Sequence, residues 1–364
     1  MFLLKTLFWG ALAALAWTHV AYPAAAVAAA RLRPRPVRKG DDLPSVSVIV
    51  AAHDEEAVIE RRLENLLELD YPDDKLELTV ASDASTDATD ELVEREPRVR
   101  LIRCPRGGKV AAQNQAVRET SGEIVAFSDA NATWAPSALR ELVRNFADPD
   151  VAYVCGQLRL DDADGTNREG AYWRYELGVR AAESKLHSIT GGNGSIYAVR
   201  RSDYVDVDPR FGHDLSFPYL MVQRGRRAVY EPKALAFEKP TPNIGDEYRR
   251  KVRMFEHCWA IVLEGGMLRG LGPLYLTEVV SHRHLRYASG LLHLVALGAN
   301  AALLGEGTLY RALFAGQLAF LALAAARPGL PRYYVLVTWA TVEALAGYLR
   351  SGVPAVWEKA AGTR

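Results

Sequence analysis

Apolar positions along the chain fall into runs of three kinds. The first is unbroken: between Phe2 and Ala30 the only charged residue is Lys5, and residues 7–30 suffice to cross a hydrocarbon core of about 30 Å at about 1.5 Å per residue. The second is short and β-branched. Val46-Ser47-Val48-Ile49-Val50, bounded by Pro44 and by His53-Asp54-Glu55-Glu56, predicts a buried strand feeding a helix. The pattern repeats, predicting strands at 46–50, 76–81, 99–103 and 123–128, with helices at 55–67, 86–94 and 109–119 between them. This alternation implies an α/β fold with a mainly parallel sheet, whose ligands sit at the carboxyl ends of the strands. The third kind fills the last part of the chain. Residues 288–304, 309–326 and 333–349 are apolar and near the lower length limit for spanning, with Gly298, Gly316 and Gly347 as close-packing points. Before them, residues 267–286 mix apolar side chains with Arg269, Arg283 and Arg286, the pattern of a helix lying in the membrane interface. The chain thus divides into an anchor with a basic linker (1–43), a middle domain (44–264), an interfacial helix (265–287), three spanning helices (288–350) and a tail (351–364). A buried helical subdomain is the alternative reading of the last apolar runs.

Charge gives the assembly a direction. Arg31, Arg33, Arg35, Arg38 and Lys39 follow the first apolar run, whereas a signal peptide would carry its charge in front of a shorter one. The positive-inside rule puts the N-terminus outside and residue 31 onward in the cytoplasm. The two later linkers agree: residues 305–308 hold no basic residue and residues 327–332 hold Arg327 and Arg332. The expectation is an integral protein of the plasma (inner) membrane, in contact with its lipids, with a cytoplasmic middle domain. The 44 basic and 44 acidic residues balance, which speaks against a nucleic-acid partner. Cys104, Cys155 and Cys258 match no metal-site spacing and suit a reducing compartment.

Polar residues gather where the strands end. His53, Asp54 and Glu55 follow the first strand; Ser82, Asp83, Ser85 and Asp87 the second; Gly107, Gly108 and Lys109 the third; Asp129 and Asn131 the fourth. Ser85 and Asp87 suit helix N-caps, but four such groups on one sheet edge point to a ligand. Neither a Gly-x-Gly-x-x-Gly turn nor a Walker loop is present, which disfavours dinucleotide and P-loop chemistry.

In order and spacing, Val46-Ser47-Val48-Ile49-Val50-Ala51-Ala52-His53-Asp54-Glu55-Glu56, Ala81-Ser82-Asp83-Ala84-Ser85-Thr86-Asp87 and Phe127-Ser128-Asp129-Ala130-Asn131 resemble the family 2 glycosyltransferases, among them the membrane-embedded synthases of hyaluronan, cellulose and poly-N-acetylglucosamine. The resemblance covers roughly residues 44–259. It implies a GT-A-like nucleotide-diphospho-sugar transferase domain flanked by transmembrane helices. The implied activity is inverting transfer of a sugar from a nucleotide-sugar donor, UDP-linked, to a lipid-linked or saccharide acceptor at the membrane. The implied cofactor is a divalent metal, Mg or Mn.

On this resemblance Asp54 and Asp83 recognise the base, and Lys109 and Arg253 bind the diphosphate. Asp129 and Asn131 would hold the metal and, through it, the donor; Asn131 replaces the second Asp of the family's Asp-x-Asp and brings an oxygen without a charge. In Phe211-Gly212-His213-Asp214, Asp214 matches the catalytic base and His213 replaces an acidic neighbour. His213, with Gly192 and Asn193 of the loop Gly191-Gly192-Asn193-Gly194-Ser195, would lie beside the acceptor. Downstream, Arg249-Arg250-Lys251-Val252-Arg253-Met254 stands where processive synthases carry Gln-x-x-Arg-Trp. Met254 in place of the acceptor-stacking Trp favours transfer of one or a few sugars over processive synthesis. Asn131 and His213 leave open a non-catalytic, nucleotide-binding scaffold.

Overall fold

The computed structural model describes residues 1–160, 169–239 and 244–356. A long helix, α1 (Phe2–Leu32), precedes the sheet and is interrupted by a π turn at Trp17–Ala21. Strand β1 (Val46–Ala52) lies between β2 (Leu76–Asp83) and β4 (Ile124–Asp129), and β3 (Val99–Cys104) flanks β2, all four parallel. Between them run α2 (Ile59–Leu67), α3 (Thr89–Glu94) and α4 (Lys109–Glu119). Period-two alternation sorts β1: Val48 and Val50 pack with Ile59, Leu63 and Leu66 of α2, and Ile49 packs on the other face with Ala112 and Ala116 of α4 and with Phe127. Beyond β4 the sheet becomes mixed. β7 (Tyr197–Arg200) runs antiparallel to β4 and to β6 (Val151–Leu160), β8 (Arg227–Glu238) runs parallel to β6, and the short β5 (Thr133–Trp134) closes the edge antiparallel to β8. The expected parallel sheet is therefore the β3-β2-β1-β4 half of an eight-stranded sheet among the described residues.

α2 and α3 start three to four residues later than the apolar pattern predicts, and the segments before them are cross-linked by side chain–backbone hydrogen bonds. The Glu56 N–H donates to Asp87 Oδ2 (3.1 Å), the Ala88 N–H donates to Glu56 Oε2 (3.1 Å), and the Glu55 N–H donates to Thr89 Oγ1 (2.6 Å). These bonds satisfy amides that lie among the first four of the predicted helices and would have no partner inside them.

The rest of the fold is helical: α5 (Ala138–Val143), α6 (Glu169–Leu186), α7 (His213–Gln223) and α8 (Ile244–Glu264) around the sheet, then α9 (Pro273–Val279), a π turn (Val280–His284) and a last turn to Tyr287. Of the arginines in the expected interfacial helix, Arg269 is exposed, while Arg286 turns inward to Glu176 of α6 and Arg283 to Thr190. α10 (Ser289–Ala302), α11 (Thr308–Ala326) and α12 (Leu330–Ser351) follow. Among the described helices α1 and α11 are long and apolar enough to cross a membrane; α10 is shorter, and α12 is interrupted by Arg332, Glu343 and Arg350. Lys5 pairs with Glu306 (2.7 Å) and Phe8 packs with Ala296 and Leu303, so the N-terminus and the linker before α11 share one end of the helical layer. At the other end Tyr22, Ala26 and Ala30 pack on Val179 and Ala182 of α6. Of the expected close-packing glycines, Gly347 is a close contact, where an added Cβ would run into the Glu256 carboxyl of α8, whereas a Cβ on Gly298 or Gly316 would meet nothing within 4 Å. Gly290 is a further close contact, where an added Cβ would run into Thr341 Oγ1 and the Thr338 carbonyl of α12. The tail expected from residue 351 lies within the described residues only to 356.

Candidate active site

Register places the acidic residues on one edge. Ala52 is paired with Ser82, Ala51 with Asp129, and Asp83 with Cys104, so the first four strands end together. Immediately after the first two strands the chain turns through left-handed residues, Asp54 (φ 51°) and Ala84 (φ 55°). Asp tolerates this region; Ala adopts it at a cost of about 1–3 kcal/mol. The two turns are laced together: Asp54 Oδ1 accepts from the Thr86 N–H (2.6 Å), and the Asp54 N–H donates to Ser85 Oγ (3.1 Å).

Asp83 is buried and straps the third loop to the second strand. It accepts from the Gly107 N–H (2.7 Å), from the Gly108 N–H (3.0 Å) and from the Arg106 guanidinium. Gly108 has φ 90°, and a Cβ there would strike the backbone carbonyl of Ala355, so the segment after α12 lies on this loop. Lys109, the first residue of α4, pairs with Asp129.

Sequence reasoning missed Glu238 at the carboxyl end of β8. Its carboxyl accepts from Ser195 Oγ, which itself lies 3.5 Å from Asp129 Oδ2. Burial, and after it the charge of Asp129, push Glu238 above the usual carboxylate range; Lys109 and Arg250 act the other way. The signal available was positional: an acid ending the run Ala234-Leu235-Ala236-Phe237, the same strand-end rule that picked out Asp129. Arg62 of α2 is fully buried over the Trp134 ring (5.1 Å); burial lowers it to about 9, opposed by the charge of Asp129.

These oxygens fit a hard divalent cation. Asp129 and Glu238 repel one another across Ser195, a strain that a cation would relieve, and oxygen donors suit Mg or Mn. No group of three or more acidic, His or Cys side chains with metal-holding geometry occurs among the described residues. Asn131 is half-buried beside them, and its backbone carbonyl accepts from Arg61 (3.4 Å).

The glycine loop spans from this pair to the expected base. A Cβ on Gly194 would lie 3.0 Å from Lys109 Nζ and 3.6 Å from Asp129 Oδ2. The Gly192 N–H donates to the backbone carbonyl of Asp214 (2.7 Å), and Arg180 donates to the Gly192 carbonyl (3.0 Å). Asn193 is buried and organises the loop, donating to the Gly156 carbonyl (2.8 Å) and accepting from the Ser195 and Ile196 N–H groups (3.1 and 3.0 Å). Asp214 is the second residue of α7 and half-buried. Its charge and that of Asp129 both act on the buried Tyr197 hydroxyl.

His213 departs from expectation. Its ring is enclosed by Phe127, Tyr197, Tyr204 and Phe217, and Nδ1 meets the Tyr197 hydroxyl at 2.8 Å. Burial, then the charge of Lys109, lowers it to about 3. His213 is thus buried in this aromatic cage, whereas its neighbour Asp214 is half-buried. Arg253 lies half-buried on α8, held below its usual range by burial and by Arg250, whose charge also reaches Glu238. Met254 is exposed, and Trp259 is buried with its indole N–H on the Thr341 carbonyl (2.9 Å).

Residues 47–207 match the model of glycosyl transferase family 2. The chain is 34% identical over 165 residues to a beta-monoglucosyldiacylglycerol synthase of Synechocystis, covering 42% of this chain and 33% of that protein. It is 27% identical over 300 residues to an N-acetylglucosaminyltransferase of Rhizobium meliloti, covering 74% and 69%. Among solved structures it is similar to a mannosyltransferase of Pyrobaculum calidifontis in complex with GDP-Man and Mn2+, with a TM-score of 0.74, 27% identity, and 94% of this chain and 99% of that one covered. It thus spans a third of the length of one curated relative and about two thirds of another. Taken with the strand-end carboxylates and the glycine loop, these likenesses identify residues 47–207 as a domain similar to those of glycosyl transferase family 2.

Proposed function

We propose that the protein transfers a sugar, with inversion, from a nucleoside-diphosphate sugar to a hydroxyl of a lipid-linked or saccharide acceptor at a membrane, α1 and the C-terminal helices anchoring it with the catalytic domain in the cytoplasm. The observation that carries the reading is the single cluster of Asp83, Lys109, Asp129 and Glu238 joined to Asp214 by the glycine loop. Asp83, whose two oxygens take contacts from Arg106 and from the Gly107 and Gly108 N–H groups, fixes the third loop where the base would lie. Asp54 is tied to the turn after β2 through Thr86 and Ser85. Lys109 and Arg253 offset diphosphate charge. Asp129, Glu238 and the Asn131 oxygen would hold Mg or Mn, which when bound supplies Lewis-acid stabilisation of the departing diphosphate. Asp214 removes the proton of the acceptor hydroxyl as its oxygen attacks the anomeric carbon, and the nucleoside diphosphate leaves from the opposite face. Gly192 and Asn193 form the floor beside that acceptor.

The motif implies a uridine donor, and the Pyrobaculum relative binds GDP-Man; both belong in the test. Purified protein is incubated with UDP- and GDP-sugars, with and without Mn2+, and followed for nucleotide release and thermal stabilisation. Metal-dependent stabilisation and release with one donor class supports the reading; none with any donor overturns it. The exposed Met254 and the helix-packed Trp259 support short transfer, so long polymer in the product would overturn that part.

A further inference from the structure

Glu183 on α6 is fully buried, and no step above uses it. Its Oε1 accepts from the Tyr22 hydroxyl of α1 (2.7 Å) and faces Nδ1 of His282 in the second π turn (2.6 Å). Its Oε2 accepts from the Thr190 N–H (3.2 Å) and the Thr190 hydroxyl (3.0 Å). One carboxylate thus ties the anchor helix, the helix leading to the C-terminal layer, and the residue in front of the glycine loop. Burial alone would raise Glu183; the His282 ring, then Arg283, hold it below its ordinary range. His282 Nε2 faces Glu176 (3.0 Å), and Arg283 Nε donates to Thr190 Oγ1 (2.9 Å).

The two helices are deformed where they meet. Trp17–Ala21 and Val280–His284 are both π turns, a form that concentrates at functional sites. The Thr18 hydroxyl donates to the Ser281 carbonyl (2.6 Å), the Trp17 indole to Ser281 Oγ (2.8 Å), and the Tyr175 hydroxyl to the His19 carbonyl (2.9 Å). Apolar packing would join an anchor to a domain without the desolvation cost of buried ions. The ionic cluster instead ends on Thr190, and the loop that starts there reaches Arg283 at Gly191, Asp214 at Gly192, Lys109 at Gly194 and Glu238 at Ser195.

We infer that Glu183 is a positioning residue for transfer: it takes its place from Tyr22 of the anchor and sets the glycine loop, and through it Asp214 and Asp129. The inference rests on the reading of Asp214 as the base. The test uses the full chain in lipid nanodiscs, with Tyr22→Phe, Glu183→Gln, and Tyr310→Phe as a control; the Tyr310 hydroxyl meets α1 at its other end, through Trp9 (3.4 Å). Amide hydrogen exchange at residues 190–195 is measured beside turnover and KM for the UDP- or GDP-sugar that the panel identifies. Both Tyr22→Phe and Glu183→Gln should speed exchange at residues 190–192 about tenfold and lower kcat by a similar factor, the worth of one hydrogen bond to a charged group. Donor KM and exchange in β1–β4 should stay unchanged, and Tyr310→Phe should match wild type. Wild-type loop exchange in Tyr22→Phe, or acceleration spread evenly over the domain, would overturn the relay. Absence of donor turnover in wild type would fail the transferase reading, while the exchange measurement still decides the relay.

Discussion

Replacing Asp83 by Asn tests whether the third loop depends on one buried carboxylate. The side chain accepts from two glycine N–H groups and from Arg106. An amide of the same shape keeps one acceptor oxygen and turns an NH2 group toward either the guanidinium or the two amides, donor against donor. Loss of a hydrogen bond to a charged group costs about 1.5–3 kcal/mol. Arg106 is about one-third exposed and water can take over part of its pairing, so about 1.5–2 kcal/mol is expected. For a domain of this size that lowers Tm by about 3–8 °C. The loop also carries Lys109, so affinity for a nucleoside diphosphate with Mn2+ should fall about tenfold, equivalent to about 1.4 kcal/mol. Thermal unfolding in detergent, repeated across nucleotide concentrations, reads both quantities. Wild-type Tm together with wild-type affinity in Asp83→Asn would refute the argument.

Three further outcomes follow from the geometry. His213 is held neutral in the fold, lowered to about 3, while an unfolded histidine titrates near about 6.5; its contribution is complete above about 6.5 and is lost as pH falls toward 3, at up to about 1.4 kcal/mol per pH unit. His213→Phe should flatten the stability–pH curve over that window, and an unchanged slope in urea unfolding would contradict this. Gly108→Ala places a side chain at φ 90° against the Ala355 carbonyl and should cost at least about 1–2 kcal/mol, with weakened donor affinity by titration. Gly290→Ala should lower stability in detergent by about 1–3 kcal/mol through overpacking against α12, whereas Gly298→Ala should not, as paired thermal scans will show.

What the sequence revealed depended on how local the signal was. α4 begins at Lys109 and ends at Glu119 as predicted, because Gly107-Gly108 punctuates its start and its apolar residues keep helical spacing. The four strand ends were legible for the same reason, and with them Asp83 and Asp129. Glu238 was not, since its role depends on β8 crossing to the far half of the sheet and lying beside Ser195. The setting of His213 was not legible because its enclosure by Phe127, Tyr197, Tyr204 and Phe217 depends on how α7 packs against the sheet. The positions of Gly290 and Glu183 depend on contacts 48 and 161 residues away, a separation that no local pattern encodes.

The central claim is that Asp214 is the base of a metal-assisted sugar transfer. Asp214→Asn keeps the α7 start and the backbone carbonyl that Gly192 holds, and removes the proton acceptor. The direct measurement is donor turnover by this variant with Mn2+, beside its thermal stabilisation by the same donor. The account predicts unchanged donor stabilisation and turnover reduced by about 10²–10⁴-fold, the range of general acid–base catalysis. Turnover within about twofold of wild type, with the donor still bound, would contradict it.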